Sequence, residues 1–189
     1  MMFSEAHADS DMQAVDDYLA HHDWTMADAD ESQFVHALIA DHLKAARARI
    51  FFLRDNAGQV ECAGHVVAHG GGLEWQGVTT RRHARGQDKA TDLACFARWT
   101  YFRDGYSDFG CVVRILPRQG INRRALRAFE KAGFYDTDET LNVAWSDHPV
   151  CRHLKPTLEA DGTYRVRRLA ADASTFHFVR DAATRHNWR

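Results

Sequence analysis

The sequence predicts one domain of the mixed α/β class. Segments with strand periodicity alternate with segments of helical periodicity, in the order β α α β β β α β α β β followed by a helical tail. The chain has 189 residues, of which 45% are hydrophobic and 26% charged, so it can bury one sizeable core. It contains no internal repeat that would indicate an array of smaller units.

The first half of this order consists of two helices followed by three strands. After a short initial strand, SDMQAVDDYLAHH predicts a helix, with Ser10 and Gln13 at the spacing of a capping box. ESQFVHALIADHLKAARA has the apolar stripe of a second amphipathic helix. RIFFLRD and QVECAGHVVAH flank a turn and predict a β-hairpin. In the next strand, LEWQGVTT, the central Gly77 predicts a bulge.

The second half begins with ATDLACFARWTYFRDG, a helix apolar on most of its circumference and therefore expected to pack on the sheet. FGCVVRIL is nearly all apolar, which is typical of a central strand covered on both faces. In NRRALRAFEKAGF, Asn122 is the predicted N-cap, and Gly133 with Phe134 predicts a Schellman-type end. TLNVAW and TYRVRRL are the last predicted strands, and FHFVRDAATRHNW is a terminal helix.

Composition excludes several classes of function. The formal net charge is −2, so no general basic field favours nucleic acid, although RRHAR at 81–85 is a local basic cluster. The N-terminus has no signal-peptide pattern and no apolar run reaches the ~20 residues of a membrane helix, so we expect a cytoplasmic protein without membrane contact. Four separated cysteines without a CxxC pair predict buried thiols.

The histidines do not predict a metal site. His65 and His69 share one face of a strand, but their separation of ~13 Å is too long for one ion. They are more simply hydrogen-bonded structural residues, with substrate contact as the alternative. His21 and His22 are adjacent, so their side chains point apart. We expect no bound metal.

Two stretches in order, EWQGVTTRRHARGQDKA and NRRALRAFEKAGF, resemble the fourth strand with its pyrophosphate loop and the helix after the fifth strand in the GNAT superfamily of N-acetyltransferases. The resemblance extends in element order over about residues 3–169. It implies a central mixed, mostly antiparallel sheet flanked by helices on both faces. Residues 1–169 would form the acyl-CoA N-acyltransferase domain, with 170–189 as a C-terminal helical extension packed on it.

This resemblance implies acetyl-CoA or another acyl-CoA as co-substrate. A diphosphate needs backbone N–H donors where a helix begins. The loop residues expected to supply that site are Arg85, Gly86, Gln87, Asp88, Lys89 and Ala90. The thioester would lie along Val78, Thr79 and Thr80, and the coenzyme A arm would face Asn122 and Phe129.

Asp88 departs from the family pattern, which has glycine there. A carboxylate ~4 Å from a phosphate charge would cost on the order of 4 kcal/mol at a surface-like dielectric. Arg81, Arg82, Arg85 and Lys89 in the same loop oppose that cost. We expect binding to survive, with the Asp88 side chain turned outward.

The resemblance also suggests catalytic groups. Glu74 stands where many relatives carry the base that takes the proton of the attacking amine, directly or through water. Phe129 stands where relatives have a tyrosine acid, and phenylalanine donates no proton. Tyr135 or Tyr101 would replace that acid if the fold turned either toward the sulfur. Otherwise the thiolate leaves unprotonated, which a thiol pKa near ~8.5 allows.

The leading hypothesis is acyl transfer to a small-molecule or peptidyl amine by direct attack in a ternary complex. The alternative is a degenerate acyl-CoA-binding or regulatory module that has lost turnover. A nucleic-acid-binding domain using RRHAR with Trp75 and Trp99 is weaker, because Trp99 lies in a helix predicted to be buried. The sequence does not identify the acceptor, and it leaves a homodimer open.

Overall fold

A computed structural model describes residues 1–22, 39–69, 72–116, 119–144, 161 and 163–188. The strands are β1 Met2–His7, β2 Arg49–Arg54, β3 Val60–His69, β4 Gly72–Thr80, β5 Phe109–Leu116, β6 Gly120–Ile121, β7 Tyr135–Ala144 and β8 Thr163–Ala171. The helices are α1 Met12–His22, α2 with described residues 39–45, α3 Lys89–Arg103, α4 Arg123–Lys131 and α5 Phe176–His186. The predicted order is confirmed, with β6 as a short addition. Most of the second predicted helix, and the stretch between the last two strands, lie outside the described residues.

The strands form one sheet in the order β1-β2-β3-β4-β5-β8-β7, with β6 paired to β5. β4 and β5 run parallel, and the other described pairs are antiparallel. The predicted mixed, mostly antiparallel sheet is therefore confirmed. β8 continues to Ala171, past the boundary at 169 expected for the acyltransferase domain.

Helices cover both faces of the sheet. The side chains of β2 show this, because they alternate between two hydrophobic cores, one on each face. Phe51 and Leu53 belong to a core shared with α3, whereas Ile50 and Phe52 belong to a core shared with α1 and α2. Successive strand residues point to opposite faces, so the four buried residues of β2 supply both cores. α5 packs beside α3 on the first face.

The prediction that FGCVVRIL is covered on both faces is wrong for the described part of the protein. Phe109, Cys111 and Val113 are buried toward α3, but Val112 on the other face is 38% exposed. The physical reason is placement, because α1 packs over β2 and β3 rather than over β5. The α1 side of β5 is thus an accessible surface.

Helix ends follow local chemistry. The N-cap of α1 differs from the prediction, because the Asp11 carboxylate, rather than Ser10, accepts from the Ala14 N–H at 2.9 Å. The predicted ends of α4 are confirmed. Asn122 Oδ1 accepts from the Ala125 N–H at 3.3 Å, and Gly133 (φ +83°) closes the helix with the hydrogen bonds of a Schellman motif.

A buried arginine joins the C-terminal helix to the rest of the fold. The Arg98 guanidinium on α3 donates to Ala132 O at 2.7 Å, Asp172 O at 3.0 Å and Thr175 Oγ1 at 3.0 Å. These acceptors lie at the end of α4 and in the turn before α5. Burial lowers the Arg98 pKa, and the three acceptors compensate for the lost hydration of the cation. Arg98 therefore fixes three chain segments at one point.

Replacing Arg98 tests this joint. Arg98→Met keeps the apolar stem but removes the donor to Ala132 O, the donor to Thr175 Oγ1 and one of the donors to Asp172 O, and should lower the free energy of unfolding by roughly 2–4 kcal/mol. Urea denaturation measures the loss. Arg180→Met, at an exposed position on α5, is the control and should stay within about 0.5 kcal/mol of the wild type. A loss below about 1 kcal/mol for Arg98→Met would show that the joint is dispensable.

Candidate active site

The parallel strands β4 and β5 separate partway along their length. They pair at Leu73 with Phe109, Glu74 with Gly110 and Trp75 with Cys111. Beyond this point, residues 76–80 of β4 pair with β3, and residues 112–116 of β5 pair with β8 and β6. Because both strands run in the same direction, a cleft opens between them toward their C-terminal ends.

A bulge shapes the β4 side of this cleft, confirming the prediction from Gly77. His65 pairs with Gln76 and Ala63 with Thr79, so Gly77 and Val78 together oppose one residue of β3. Gly77 has φ +58°, and a Cβ there would overlap Tyr18 Oη on α1. Only glycine fits this position without displacing α1.

The loop predicted to bind the diphosphate leads directly from the cleft into α3. After the 3-10 turn Arg82–Ala84, Gly86 adopts φ +79°, and no atom lies within 4 Å of the point that a Cβ would occupy, so the backbone here is open. Asp88 is the N-cap of α3 with φ +54°, and no side chain caps the helix. The first N–H groups of α3 lack intrahelical acceptors, and the helix dipole favours an anion beside them.

The charged side chains of the loop are directed by specific partners. Lys131 Nζ on α4 donates to Asp88 Oδ1 at 2.7 Å, so the Asp88 carboxylate is drawn toward α4. Lys89 Nζ lies 2.9 Å from Glu61 Oε2 on β3, which directs this ammonium to β3. Arg85 Nε donates to Thr80 O at 3.2 Å and ties the loop to the end of β4.

Glu74 lies in the last rows before the strands separate. Its side chain is on the face opposite Leu73 and Trp75, because neighbours along a strand alternate. It pairs with Val67, which belongs to the core under α1, so Glu74 also faces the α1 side. The structure thus places this carboxylate at the closed end of the cleft, half-buried.

α4 forms the β5 side of the site. The Asn122 N–H donates to Arg114 O at 2.8 Å, which joins the start of α4 to β5, and Thr91 Oγ1 donates to Ala128 O at 3.0 Å, which joins α4 to α3. Phe129 is buried in the core shared with α3, and its ring packs edge-on against Phe134 at 5.6 Å. It provides packing and no acidic proton.

The structure does not bring Tyr135 to the cleft, which corrects its expected position. Glu74, Gly110, Ala170 and Tyr135 lie in one cross-strand row, so Tyr135 is three strand spacings, ~14 Å, from Glu74. Its hydroxyl donates to Asp172 Oδ2 at 2.9 Å. That bond raises the Tyr135 pKa, which makes the hydroxyl a weaker acid.

Tyr101 does not supply the acid either. It packs in the core between Phe51 and Phe109, with the Arg49 guanidinium 4.5 Å from its ring centroid. Burial raises the Tyr101 pKa to about 12. Neither tyrosine considered as a substitute is therefore placed to protonate a leaving thiolate in the cleft.

Three further polar side chains meet the bulge and were not predicted as site residues. They are Tyr18 and His21 on α1 and His65 on β3, all buried. Their sequence signal was weak, because Tyr18 and His21 lie three residues apart on a helix whose other inward residues are apolar. The interpretation of His65 as a hydrogen-bonded structural residue is supported by its contact with Tyr18.

The remaining groups with reactive potential are the thiols and the possible metal ligands. Cys62, Cys95 and Cys111 are buried, as expected, and burial raises the pKa of the first two to about 12. The fourth cysteine, Cys151, lies outside the described residues. Among the described residues, no group of three or more His, Cys, Asp or Glu side chains is arranged to hold a metal ion.

Within the same residues, no helix combines the length and apolar character needed to span a membrane.

Comparison with solved structures identifies the fold as that of the GNAT N-acetyltransferases. A chimera built on the Vibrio cholerae spermidine N-acetyltransferase has a TM-score of 0.61 at 11% identity, covering 94% of this chain and 99% of that chain. An aminoglycoside 6'-N-acetyltransferase complexed with coenzyme A has a TM-score of 0.64 at 12% identity, covering 90% and 96%. An Escherichia coli N-acetyltransferase acting on a ribosomal-protein alanine gives 0.60 at 12%, covering 90% and 94%. No family model and no curated protein sequence matches the chain.

Because Tyr18 of α1 approaches Gly77 closely, we expect alanine substitutions at Gly77 and at Gly58 to lower stability by different amounts. Gly77→Ala should lower the free energy of unfolding by roughly 3–5 kcal/mol, since it combines a positive φ with overlap on Tyr18. Gly58→Ala, at φ +83° with no atom within 4 Å, isolates the conformational penalty of about 1–2 kcal/mol. Urea denaturation of both variants measures the difference. Equal losses would mean that α1 does not press on the bulge.

Proposed function

We propose that this protein transfers an acetyl or other short acyl group from acyl-coenzyme A to a primary amine by direct attack in a ternary complex. The observation that carries the proposal is the continuity between the cleft and the loop. The strands part beyond Trp75 and Cys111, and β4 then leads through residues 81–88 into the uncapped start of α3. A thioester with a diphosphate tail needs a slot and an anion site in this order.

The placement of the residues supports a role for each group. The backbone of Val78, Thr79 and Thr80 lines the β4 side of the cleft, where an N–H would polarise the thioester carbonyl. The N–H groups from Gly86 to Ala90 would hold the diphosphate, with Arg85, Gln87 and Asp88 in the same loop. On the other side, α4 with Asn122 and Phe129 borders the coenzyme A arm.

The side chains considered as proton donors favour departure of coenzyme A as an unprotonated thiolate. Glu74, at the closed end of the cleft, takes the proton of the attacking amine, through water where the distance is long. The amine nitrogen forms a bond to the thioester carbon, and the carbon–sulfur bond then breaks with its electron pair on sulfur. Phe129, Tyr101 and Tyr135 offer no acid there, and a thiolate is a fair leaving group.

The second candidate is a binding or regulatory module with this fold and without turnover. The buried Phe129 side chain, in place of an acid, is the observation that favours it. Both candidates require acyl-coenzyme A to bind. Release of free coenzyme A in the presence of an amine separates them.

The test has two stages, using calorimetric titration with acetyl-coenzyme A and then a thiol-release assay across polyamines, aminoglycosides and peptide N-termini. The proposal expects saturable binding at or below millimolar ligand and amine-dependent thiol release. Binding without release for any amine would favour the module, and absence of binding would eliminate both candidates. Glu74→Gln should then lower kcat by about 100-fold or more with little change in acetyl-coenzyme A affinity. Glu139→Gln, on exposed β7, is the matched control.

The contact between Asp88 and Lys131 predicts a coupled effect on binding. Asp88→Gly removes a carboxylate beside the diphosphate and should tighten acetyl-coenzyme A binding about three- to tenfold. Lys131→Met should weaken binding by a similar factor, because it leaves the Asp88 charge without its partner. In the Asp88→Gly background, Lys131→Met should have a clearly smaller effect.

Titration of the two single variants and the double variant completes this cycle. Asp138→Gly is the matched control, since Asp138 is also an exposed aspartate with positive φ, on β7 away from the loop. Its affinity for acetyl-coenzyme A should equal that of the wild type. Additive effects of the Asp88 and Lys131 substitutions would show that the two side chains act independently on the ligand.

A further inference from the structure

A chain of buried hydrogen bonds runs from β3 through α1 to the bulge of β4. Tyr18 Oη lies 2.8 Å from His65 Nδ1 and donates to Gly77 O at 3.1 Å. Tyr18 and His65 are 3% and 7% exposed. The hydroxyl has a single proton, so with that proton donated to Gly77 O the chain is complete in the His65 tautomer that carries its proton on Nδ1. In that tautomer the direction of the chain is from His65 to Tyr18 to the backbone.

A second side chain of α1 contacts a β4 carbonyl two residues beyond Gly77, that of Thr79. His21 Nε2 lies 3.2 Å from Thr79 O, and His21 is 1% exposed. Tyr18 and His21 are three residues apart, so they lie on one face of α1. One helix face thus holds two carbonyls, at alternate residues of the segment that lines the cleft.

These contacts determine where the neighbouring N–H groups point. The described chain contains no cis peptide bond, and in a trans peptide the C=O and the following N–H point in opposite directions. Because Gly77 O points to Tyr18, the Val78 N–H points away from α1. Thr79 pairs with Ala63 of β3 and its carbonyl also meets His21, so the Thr80 N–H points away from β3, toward the side of the cleft.

We propose that Tyr18, His65 and His21 are positioning residues, which hold the peptide planes after Gly77 and Thr79 so that the Val78 and Thr80 N–H groups are presented to the thioester carbonyl. This inference rests on the proposed acyl transfer. Glycine adopts both signs of φ, so the plane after Gly77 would otherwise rotate easily. Preorganised donors are effective only when their direction is fixed before the reaction.

The described hydrogen bonds of the cluster end on a backbone carbonyl, which accepts a hydrogen bond but takes up no proton. Burial raises the Tyr18 pKa far above its ordinary value, so the hydroxyl stays protonated. No metal-holding group of three His, Cys, Asp or Glu side chains occurs in the described parts of the chain. A hydroxyl committed to a backbone carbonyl is suited to holding that carbonyl in place.

Tyr18→Phe tests the proposal, with Tyr101→Phe as a control that removes a buried hydroxyl elsewhere in the core. In the ligand-free protein, hydrogen exchange followed by NMR should show about five- to tenfold faster exchange of the Val78 amide in Tyr18→Phe and wild-type exchange of that amide in Tyr101→Phe. Acetyl-coenzyme A labelled at the thioester carbonyl gives an infrared band for that carbonyl when it is bound. In Tyr18→Phe, this band should shift from its wild-type frequency toward its frequency in water. With an accepted amine, kcat should fall about tenfold or more while KM for acetyl-coenzyme A changes little.

His65 provides a second variant pair in case Tyr18→Phe is poorly folded. His65→Asn keeps a donor toward Tyr18 and should retain the wild-type carbonyl band, whereas His65→Leu should lose it. Wild-type exchange and carbonyl frequency in folded Tyr18→Phe would overturn the proposal. If the wild type does not bind acetyl-coenzyme A, the proposed function fails and the positioning role fails with it. If every variant binds acetyl-coenzyme A and leaves its thioester carbonyl band at the wild-type frequency, the positioning role is overturned while the proposed function stands.

Discussion

The separation of β4 from β5 is the constraint on which the candidate site depends. Two parallel strands that paired along their full length would leave no slot, and their backbone groups would satisfy each other. Here pairing ends at Trp75 and Cys111. Beyond that point each strand is held from outside the cleft, β4 by β3 and the side chains of α1, and β5 by β8 and the start of α4. The slot is therefore maintained by contacts on its two outer sides.

Burial and charge are divided between two parts of the site. Next to the bulge, the side chains of Tyr18, His21 and His65 are buried and directed by hydrogen bonds of 2.8–3.2 Å. Such bonds resist rotation because a buried polar atom that loses its partner finds no water to replace it. The loop over Arg85–Asp88 is exposed, and its charges can meet a ligand arriving from solvent. The buried, hydrogen-bonded part of the site is thus where the proposed thioester carbonyl would lie, and the exposed part is where the phosphates would bind.

Much of this arrangement could be predicted because it depends on local rules. Gly77 within an apolar strand indicates a bulge, and Asn122 with Gly133 marks both ends of α4, whatever surrounds them. Side-chain partners depend on distant segments and could not be predicted. Lys89 was expected to face the phosphates, but Glu61 on β3 holds it. Tyr135 is adjacent in sequence to the end of α4, yet strand pairing places it across the sheet from Glu74.

Asp88 shows how conformation and charge can be separated at one position. The backbone there has φ +54°, which aspartate tolerates better than most residues, so replacing the expected glycine keeps the shape of the loop. What changes is the charge beside the start of α3. The pair with Lys131 is 58% and 59% exposed on its two side chains, so solvent screens it and it contributes at most about 1 kcal/mol to stability. Lys131 is thus better suited to lowering the local negative potential at the loop than to holding α3 and α4 together. Because the pair stabilises the fold so little, its main physical effect is on the charge that Asp88 presents at the exposed loop, where Lys131 offsets it.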